Sequence, residues 1–194
     1  IVDEAQTGIG RCGSMFAIED MGVTPDILCL SKTLGNGLPL SAIVTSEAID
    51  RKGQENGFLF YTTHVNDPIP AAVGAKVLDI VTRDNLVENS RIRGEQFYQG
   101  LLKFMEQYQA IGDVRHKGLM FGLEIVKDRA TKESDPTKEA LLDSIMMKHG
   151  LSAKLIAVKA SGGDFRMVPT IAITEEEINE ALRVMGIVFM EVYG

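Results

Sequence analysis

Apolar and polar positions along this chain follow two different spacings. Short apolar runs bounded by charge, glycine or proline fall at residues 1–5, 27–30 and 42–46. They are too short for helices and predict strands. Apolar residues at helical spacing (Val73, Val77, Leu78, Val81) predict a buried helix over 71–81. A longer amphipathic helix is predicted over 85–108, with Leu86, Ile92, Phe97, Leu101, Leu102 and Met105 on its apolar side and Gly112 as its stop. Briefer helical signals lie at 14–20, cut short by Gly22 and Pro25, and at 47–51, ended by Gly53 and Gly57.

The pattern after Gly112 alternates between the two spacings. Strands are predicted over 111–115 and 119–126, joined by Lys117-Gly118. Residues 127–138, charged and containing Pro136, predict an exposed loop leading into a helix over 137–149 that Gly150 caps. A strand over 151–156, a glycine-bearing turn over 160–164 and a strand over 165–168 follow. Thr174-Glu175-Glu176-Glu177 reads as a capping box opening the last helix. The polar break near 82–85 predicts a domain boundary, giving an α/β chain divided into residues 1–83 and 84–194.

Composition narrows the function classes. A hydrophobic content of 45% with 24% charged residues is ordinary for a soluble globular protein. The net charge of −7 argues against a nucleic-acid-binding face. No apolar run approaches the roughly 18 residues of a membrane span, and no signal peptide opens the chain. Cys12 and Cys29 lack metal-ligand spacing and read as reduced thiols, which suits a cytoplasmic protein.

Candidate chemistry concentrates in the first forty residues. Lys32 follows the apolar run 27–30 and precedes Gly35-Asn36-Gly37, an odd place for a solvated charge. An amine withheld from water is a nucleophile toward carbonyl carbon, whereas a surface lysine at a strand end is the plainer alternative. Asp3 ends the first apolar run, where open α/β sheets bind ligands, or else it caps a turn. Gly8-Ile9-Gly10-Arg11-Cys12-Gly13 formally matches a dinucleotide fingerprint. Polar residues separate it from the strand and the next helix is short, so a tight turn is the better reading. Arg166 interrupts an apolar strand and, if buried there, requires an anion, either a ligand carboxylate or a local acid such as Asp164 or Glu124. Asp67 before Pro68 has the form of a helix start. His64 reads as structural, and His116 and His149 as surface residues.

Several stretches together resemble a known family. DEAQTGIGRCG (3–13) and SKTLGNGLPLSA (31–42) are similar to the core of the fold-type-I, class-III pyridoxal-phosphate-dependent aminotransferases. VTPDILCLSKTLGNGLPLSAIVTS, FLFYTTHVNDPIPAAVG, IGDVRHKGLMFGLEIVKDR and FRMVP extend the likeness toward the members that decarboxylate 2,2-dialkylglycines as well as transaminate. The resemblance implies the later part of a cofactor-binding large domain with a mixed sheet, followed by a small α+β C-terminal domain. It also implies that this is a C-terminal piece of a longer enzyme.

Residue by residue, the resemblance implies that Lys32 holds pyridoxal 5'-phosphate covalently and moves a proton at the substrate α-carbon. Asp3 would pair with the ring nitrogen and Gln6 with the ring hydroxyl. Thr63 would reach the phosphate of a partner subunit, implying a homodimer or larger assembly. The carbonyls of Thr63 and Val65 and the carboxylate of Asp67 would hold potassium or sodium, a use compatible with Asp67 as a helix cap. Arg166 would grip the substrate carboxylate. The implied reaction is decarboxylation-transamination of 2,2-dialkylglycines with a keto acid such as pyruvate. An ω-amino-acid aminotransferase is the alternative, and a catalytically inactive piece lacking the upstream half of its site is a third reading.

Overall fold

The computed structural model describes residues 1–151, 157–160 and 164–194, with the side chains of 157–160 and 164 excepted. The chain forms two compact units, Ile1–Val87 and Glu88–Gly194. Among the described residues no helix is long and apolar enough to cross a membrane.

The first unit is built on a three-stranded sheet. Its strands are β1 (Val2–Asp3), β2 (Ile27–Leu30) and β3 (Ala42–Thr45). β1 runs parallel to β2, with Val2 level with Leu28 and Asp3 with Cys29. β3 closes the other edge antiparallel, Cys29 facing Ile43. Because strand side chains alternate, Leu28 and Leu30 are buried on one face while Cys29 shares the other with Asp3 and Ile43. Two helices follow, α1 (Glu47–Glu55) and α2 (Pro68–Arg83). α1 runs through Gly53, which therefore does not end it.

Residues 14–20 do not form the expected α-helix. A single 3-10 turn spans Ala17–Met21, stopped by Gly22 in the left-handed conformation. The helix predicted over 71–81 is longer than expected and less buried. Only Gly74 and Val81 are buried, and Leu78 is 38% exposed. Helical spacing identified the apolar stripe correctly but could not say what covers it. Gly74 lies where α2 packs on the Leu34 carbonyl and the end of the Leu40 side chain, which would have to shift to admit a larger residue.

The second unit is a helix-backed antiparallel sheet. α3 (Leu86–Gln107) leads into the hairpin β4 (Ile111–Lys117) and β5 (Met120–Asp128). β6 (Glu133–Ser134) pairs with the end of β5, and α4 (Pro136–Lys148) follows. β7 (Ala157–Ala160), β8 (Asp164–Met167) and α5 (Glu175–Tyr193) complete the unit. The strand order is β4-β5-β8-β7, with β6 off this path and paired to the end of β5. The strand expected over 151–156 falls almost wholly outside the described residues, as does the middle of the turn expected over 160–164.

Val114, Leu123 and Phe165 stand in one cross-strand row, and Phe121 and Met167 in another, all turned toward the core. Phe97 and Leu101 of α3, Leu142 of α4, and Ile178, Met185 and Phe189 of α5 pack into the same cluster. Thr174 and Glu177 form the predicted capping box: the Glu177 amide donates to Thr174 Oγ1 at 3.2 Å, and the Thr174 amide to Glu177 Oε2 at 3.0 Å.

Four expectations for this unit need correction. Ile92 is 42% exposed, because the buried stripe of α3 runs through Ser90, Gly94, Phe97 and Leu101. That stripe contains a glycine because Gly94 touches the Gly118 carbonyl, where any larger residue would collide. Gly112 does not stop α3 but lies inside β4, against Val126. His116 is not a surface residue: its ring stacks on Tyr98 at 4.1 Å, and its side chain is 20% exposed.

The fourth correction concerns residues 127–138, which contain β6 and a structural arginine. Arg129 donates to the carbonyls of Met105 (2.7 Å), Tyr108 (2.9 Å) and Ile111 (3.0 Å). It thereby takes up the Met105 carbonyl, which the last turn of α3 leaves without a helical partner, and ties it to Tyr108 and to the first residue of β4. Arg129→Ala is expected to cost about 2–3 kcal/mol, since charged hydrogen bonds to half-buried carbonyls are lost together. Hydrogen exchange on the full-length protein checks this: amides across residues 105–112 should exchange faster. Unchanged exchange there would mean that the arginine does not secure the helix end.

Candidate active site

The first unit brings Asp3 and Lys32 to the same end of its sheet. The Glu4 amide donates to the Cys29 carbonyl at 2.9 Å, which holds the end of β1 alongside β2. Asp3 is level with Cys29, and Lys32 lies three residues further on, just past the end of β2. This is the carboxyl end of both parallel strands, where open α/β sheets bind ligands. Asp3 is exposed, and its Oδ1 accepts the Ala5 amide at 2.9 Å.

Lys32 has a φ of 48° and opens a 3-10 turn, Lys32–Leu34. A side chain other than glycine rarely adopts left-handed backbone, and doing so costs of order 1 kcal/mol. The turn is fixed by backbone bonds from Leu34 N–H to the Ser31 carbonyl (3.1 Å) and from Gly35 N–H to the Lys32 carbonyl (3.1 Å). Gly35 packs so closely on the Leu38 carbonyl that a Cβ there would overlap it. The strained lysine is therefore built into the loop. Such outliers gather at ligand sites, where surrounding structure over-determines them. Nothing in the sequence announced this conformation, since lysine is not a residue that seeks it.

Gly8–Gly13 form a tight turn with no helix at its end. Gly10 and Gly13 both have φ of 84°, Ile9 is buried, and the Gly10 amide donates to the Met15 carbonyl at 3.2 Å. The dinucleotide fingerprint is thus a formal match only. Glu4 anchors this turn. Its side chain is buried at 2% exposure, accepts the Ile18 amide at 2.9 Å and accepts the Thr7 hydroxyl. Burial presses on the neighbouring Arg11 as well, lowering its pKa from the usual arginine range, against the opposing pull of Cys12. Gln6 is half-buried at the start of the turn. Cys12 and Cys29 are free thiols.

A second group of predicted residues lines a hollow of about 500 Å³. Its walls include Pro39, Leu40 and Ser41 from the loop after Lys32, and His64, Val65 and Asp67 from the entry to α2. Asp67 stands at the N-cap position of α2, yet its side chain caps nothing. The carboxylate instead meets His64 Nδ1 at 2.8 Å. Thr63 is exposed just before this segment. Phe58, Leu59, Phe60 and Tyr61 precede it, all exposed, Leu59 by 84%.

Arg166 belongs to the second unit. It lies on β8 between the buried Phe165 and Met167, on the sheet face away from the core. It is half-buried, and among the described residues no hydrogen bond or ion pair engages its guanidinium. Glu124, one of the local acids the sequence offered as its partner, is taken instead by Arg115 at 2.8 Å.

Comparison with known proteins supplies the context for these residues. Residues 1–189 match the family model described as aminotransferase class-III. An uncharacterized aminotransferase of Schizosaccharomyces pombe is 44% identical over 95% of this chain and 41% of its own length. The acetylornithine aminotransferase of Caldanaerobacter subterraneus is 36% identical over 99% of the chain and 45% of the relative. Among solved structures, an (S)-enantioselective ω-transaminase from Thermomicrobium roseum superposes with a TM-score of 0.86 at 30% identity, covering 99% of this chain and 43% of that one. The chain therefore spans less than half the length of these relatives, and its mixed α/β fold matches the C-terminal part of a fold-type-I pyridoxal-phosphate enzyme. By its sequence and its fold, this chain belongs to the class-III aminotransferases.

Proposed function

We propose that this chain is the C-terminal part of a pyridoxal-phosphate enzyme that moves an amino group between an amino acid or amine and a keto acid. The observation that carries the reading is Lys32, held in left-handed backbone at the carboxyl end of β2, with Asp3 ending the adjoining parallel strand. The donor set fits the cofactor: an amine to hold it and a carboxylate for its ring nitrogen. When bound, pyridoxal phosphate supplies an electron sink for the pair released at the substrate α-carbon.

Asp3 contributes a fixed anion that keeps a proton on the facing ring nitrogen. The Ala5 amide orients that carboxylate through Oδ1. Lys32 contributes the nucleophilic amine, and once displaced by substrate the same amine moves the α-proton. Gln6 donates to or accepts from the ring hydroxyl. Arg166 offers its planar fork to the substrate carboxylate. Thr63, exposed beside the apolar stretch Phe58, Leu59, Phe60 and Tyr61, reaches the phosphate group held by a second copy. An exposed apolar stretch of that kind suits burial against further protein, a second copy included, and so is compatible with a dimer. The composition suits a cytoplasmic location.

A second reading, decarboxylation of 2,2-dialkylglycines coupled to amino transfer to pyruvate, is favoured by the His64–Asp67 segment. Asp67 is not used as a cap and lines an open hollow with Val65. Those oxygens, with the Thr63 carbonyl, suit potassium or sodium.

In the full-length protein, Lys32→Ala is expected to lower amino transfer by about three orders of magnitude, the scale of a lost acid–base group. Borohydride reduction followed by peptide mass spectrometry should place the cofactor on Lys32, and a label on another lysine would refute the assignment. Incubation with 2-aminoisobutyrate and pyruvate separates the two reactions. Release of carbon dioxide supports the decarboxylase, while amino transfer from an ω-amino acid with no carbon dioxide from 2-aminoisobutyrate rejects it.

A further inference from the structure

The polar face of the second unit carries five aligned residues: Asp113 and Arg115 on β4, Gly122 and Glu124 on β5, and Arg166 on β8. Arg115 is level with Gly122, and Gly122 with Arg166, so the two arginines flank one glycine on the same face. Asp113 stands directly opposite Glu124. Two like charges in that position repel unless a cation lies between them. Arg115 is that cation. Its Nη1 donates to Asp113 Oδ2 at 2.9 Å and to Glu124 Oε1 at 2.8 Å. Gly122 makes the arrangement possible, because a Cβ there would lie 3.3 Å from the Arg115 guanidinium. Lys132 approaches the other oxygen, Glu124 Oε2, at 3.6 Å.

Glu124 is level with residue 164 and hence diagonal to Arg166 across the β5–β8 pair. Diagonal neighbours in an antiparallel pair are about 7–8 Å apart, within reach of an arginine and a glutamate. The acid nevertheless faces the opposite strand, drawn there by Arg115. We propose that Arg115 is a positioning residue that sequesters Glu124 from Arg166 and so leaves Arg166 available to a substrate carboxylate. The inference rests on the reading of Arg166 given above.

The same bond acts on the Arg115 guanidinium itself. The Glu124 hydrogen bond, opposed by partial burial and aided by the charges of Glu124 and Asp113, raises its pKa above the usual arginine range. Without Arg115, Glu124 is released on the face it shares with Arg166, within diagonal reach of that guanidinium, and competes with the ligand as an intramolecular carboxylate.

The test uses the full-length, cofactor-loaded protein and four variants: Arg115→Ala, Arg115→Lys, Arg115→Ala with Glu124→Gln, and Arg166→Gln. In Arg115→Ala, KM for pyruvate is expected to rise about tenfold with kcat within twofold, because a charged pair of this kind is worth about one decade. Calorimetric Kd for propionate, an unreactive carboxylate, should rise in parallel. Adding Glu124→Gln should return both values to within about twofold of the parent, a rescue that a merely structural role of Arg115 does not produce. Arg115→Lys keeps a cation between the two acids and gives an intermediate value if Arg115→Ala fails to fold. A crystal structure of Arg115→Ala should show Glu124 turned toward Arg166.

Two results overturn the proposal in distinguishable ways. If Arg166→Gln leaves the propionate Kd unchanged, the reading of Arg166 fails and this inference falls with it. If Arg166→Gln weakens propionate binding but the Arg115 variants do not, or if Glu124→Gln gives no rescue, only the sequestering role is wrong.

Discussion

One backbone hydrogen bond, from the Glu4 amide to the Cys29 carbonyl, fixes the geometry on which the candidate site depends. β1 contributes only Val2 and Asp3 to the sheet, so its register against β2 rests on very few contacts. The buried Glu4 side chain reinforces that register by taking the Ile18 amide and the Thr7 hydroxyl, which ties the strand end to the turn behind it. A parallel pair in this register brings Asp3 and Lys32 to one sheet end although 28 residues separate them in sequence. Slippage by one residue would turn Asp3 to the face of Leu28 and Leu30.

The same unit shows how a loop stores strain where chemistry needs it. Lys32 adopts left-handed backbone because the Ser31–Leu34 and Lys32–Gly35 bonds and the close seat of Gly35 on Leu38 leave the loop little alternative. Each constraint is modest, and together they hold a conformation that lysine alone would leave. The second unit uses a different device. Its core face is an ordinary apolar cluster, while its outer face arranges charge so that one arginine is neutralised on both sides and another is left open.

Much of this was legible in the residues, for physical reasons that differ by element. The capping box at Thr174, the hairpin turning at Gly118 and the glycine turn after Asp3 follow from local chemistry, and the structure contains all three. Periodicity located α2 and α3 but misassigned Ile92 and Leu78, because spacing reports which residues share a face and not which face meets a neighbour. Gly94, with no apolar weight, turned out to mark the closest approach of α3 to the hairpin. Arg129 reads as solvated because it lies in a charged stretch, and His116 because no partner stands at a recognisable spacing from it. Their partners, the carbonyls at the end of α3 and the Tyr98 ring, come from distant sequence. The lysine motif was legible through family resemblance, whereas its strained backbone and the Arg115–Glu124 pairing required coordinates.

The most direct measurement of the central claim is a crystal structure of the full-length protein with pyridoxal phosphate bound. The account predicts continuous density from Lys32 Nζ to the cofactor and an Asp3 carboxylate oxygen about 3 Å from the ring nitrogen, a hydrogen-bonding distance. A cofactor joined to a different lysine, or a ring nitrogen facing some group other than Asp3, would contradict it.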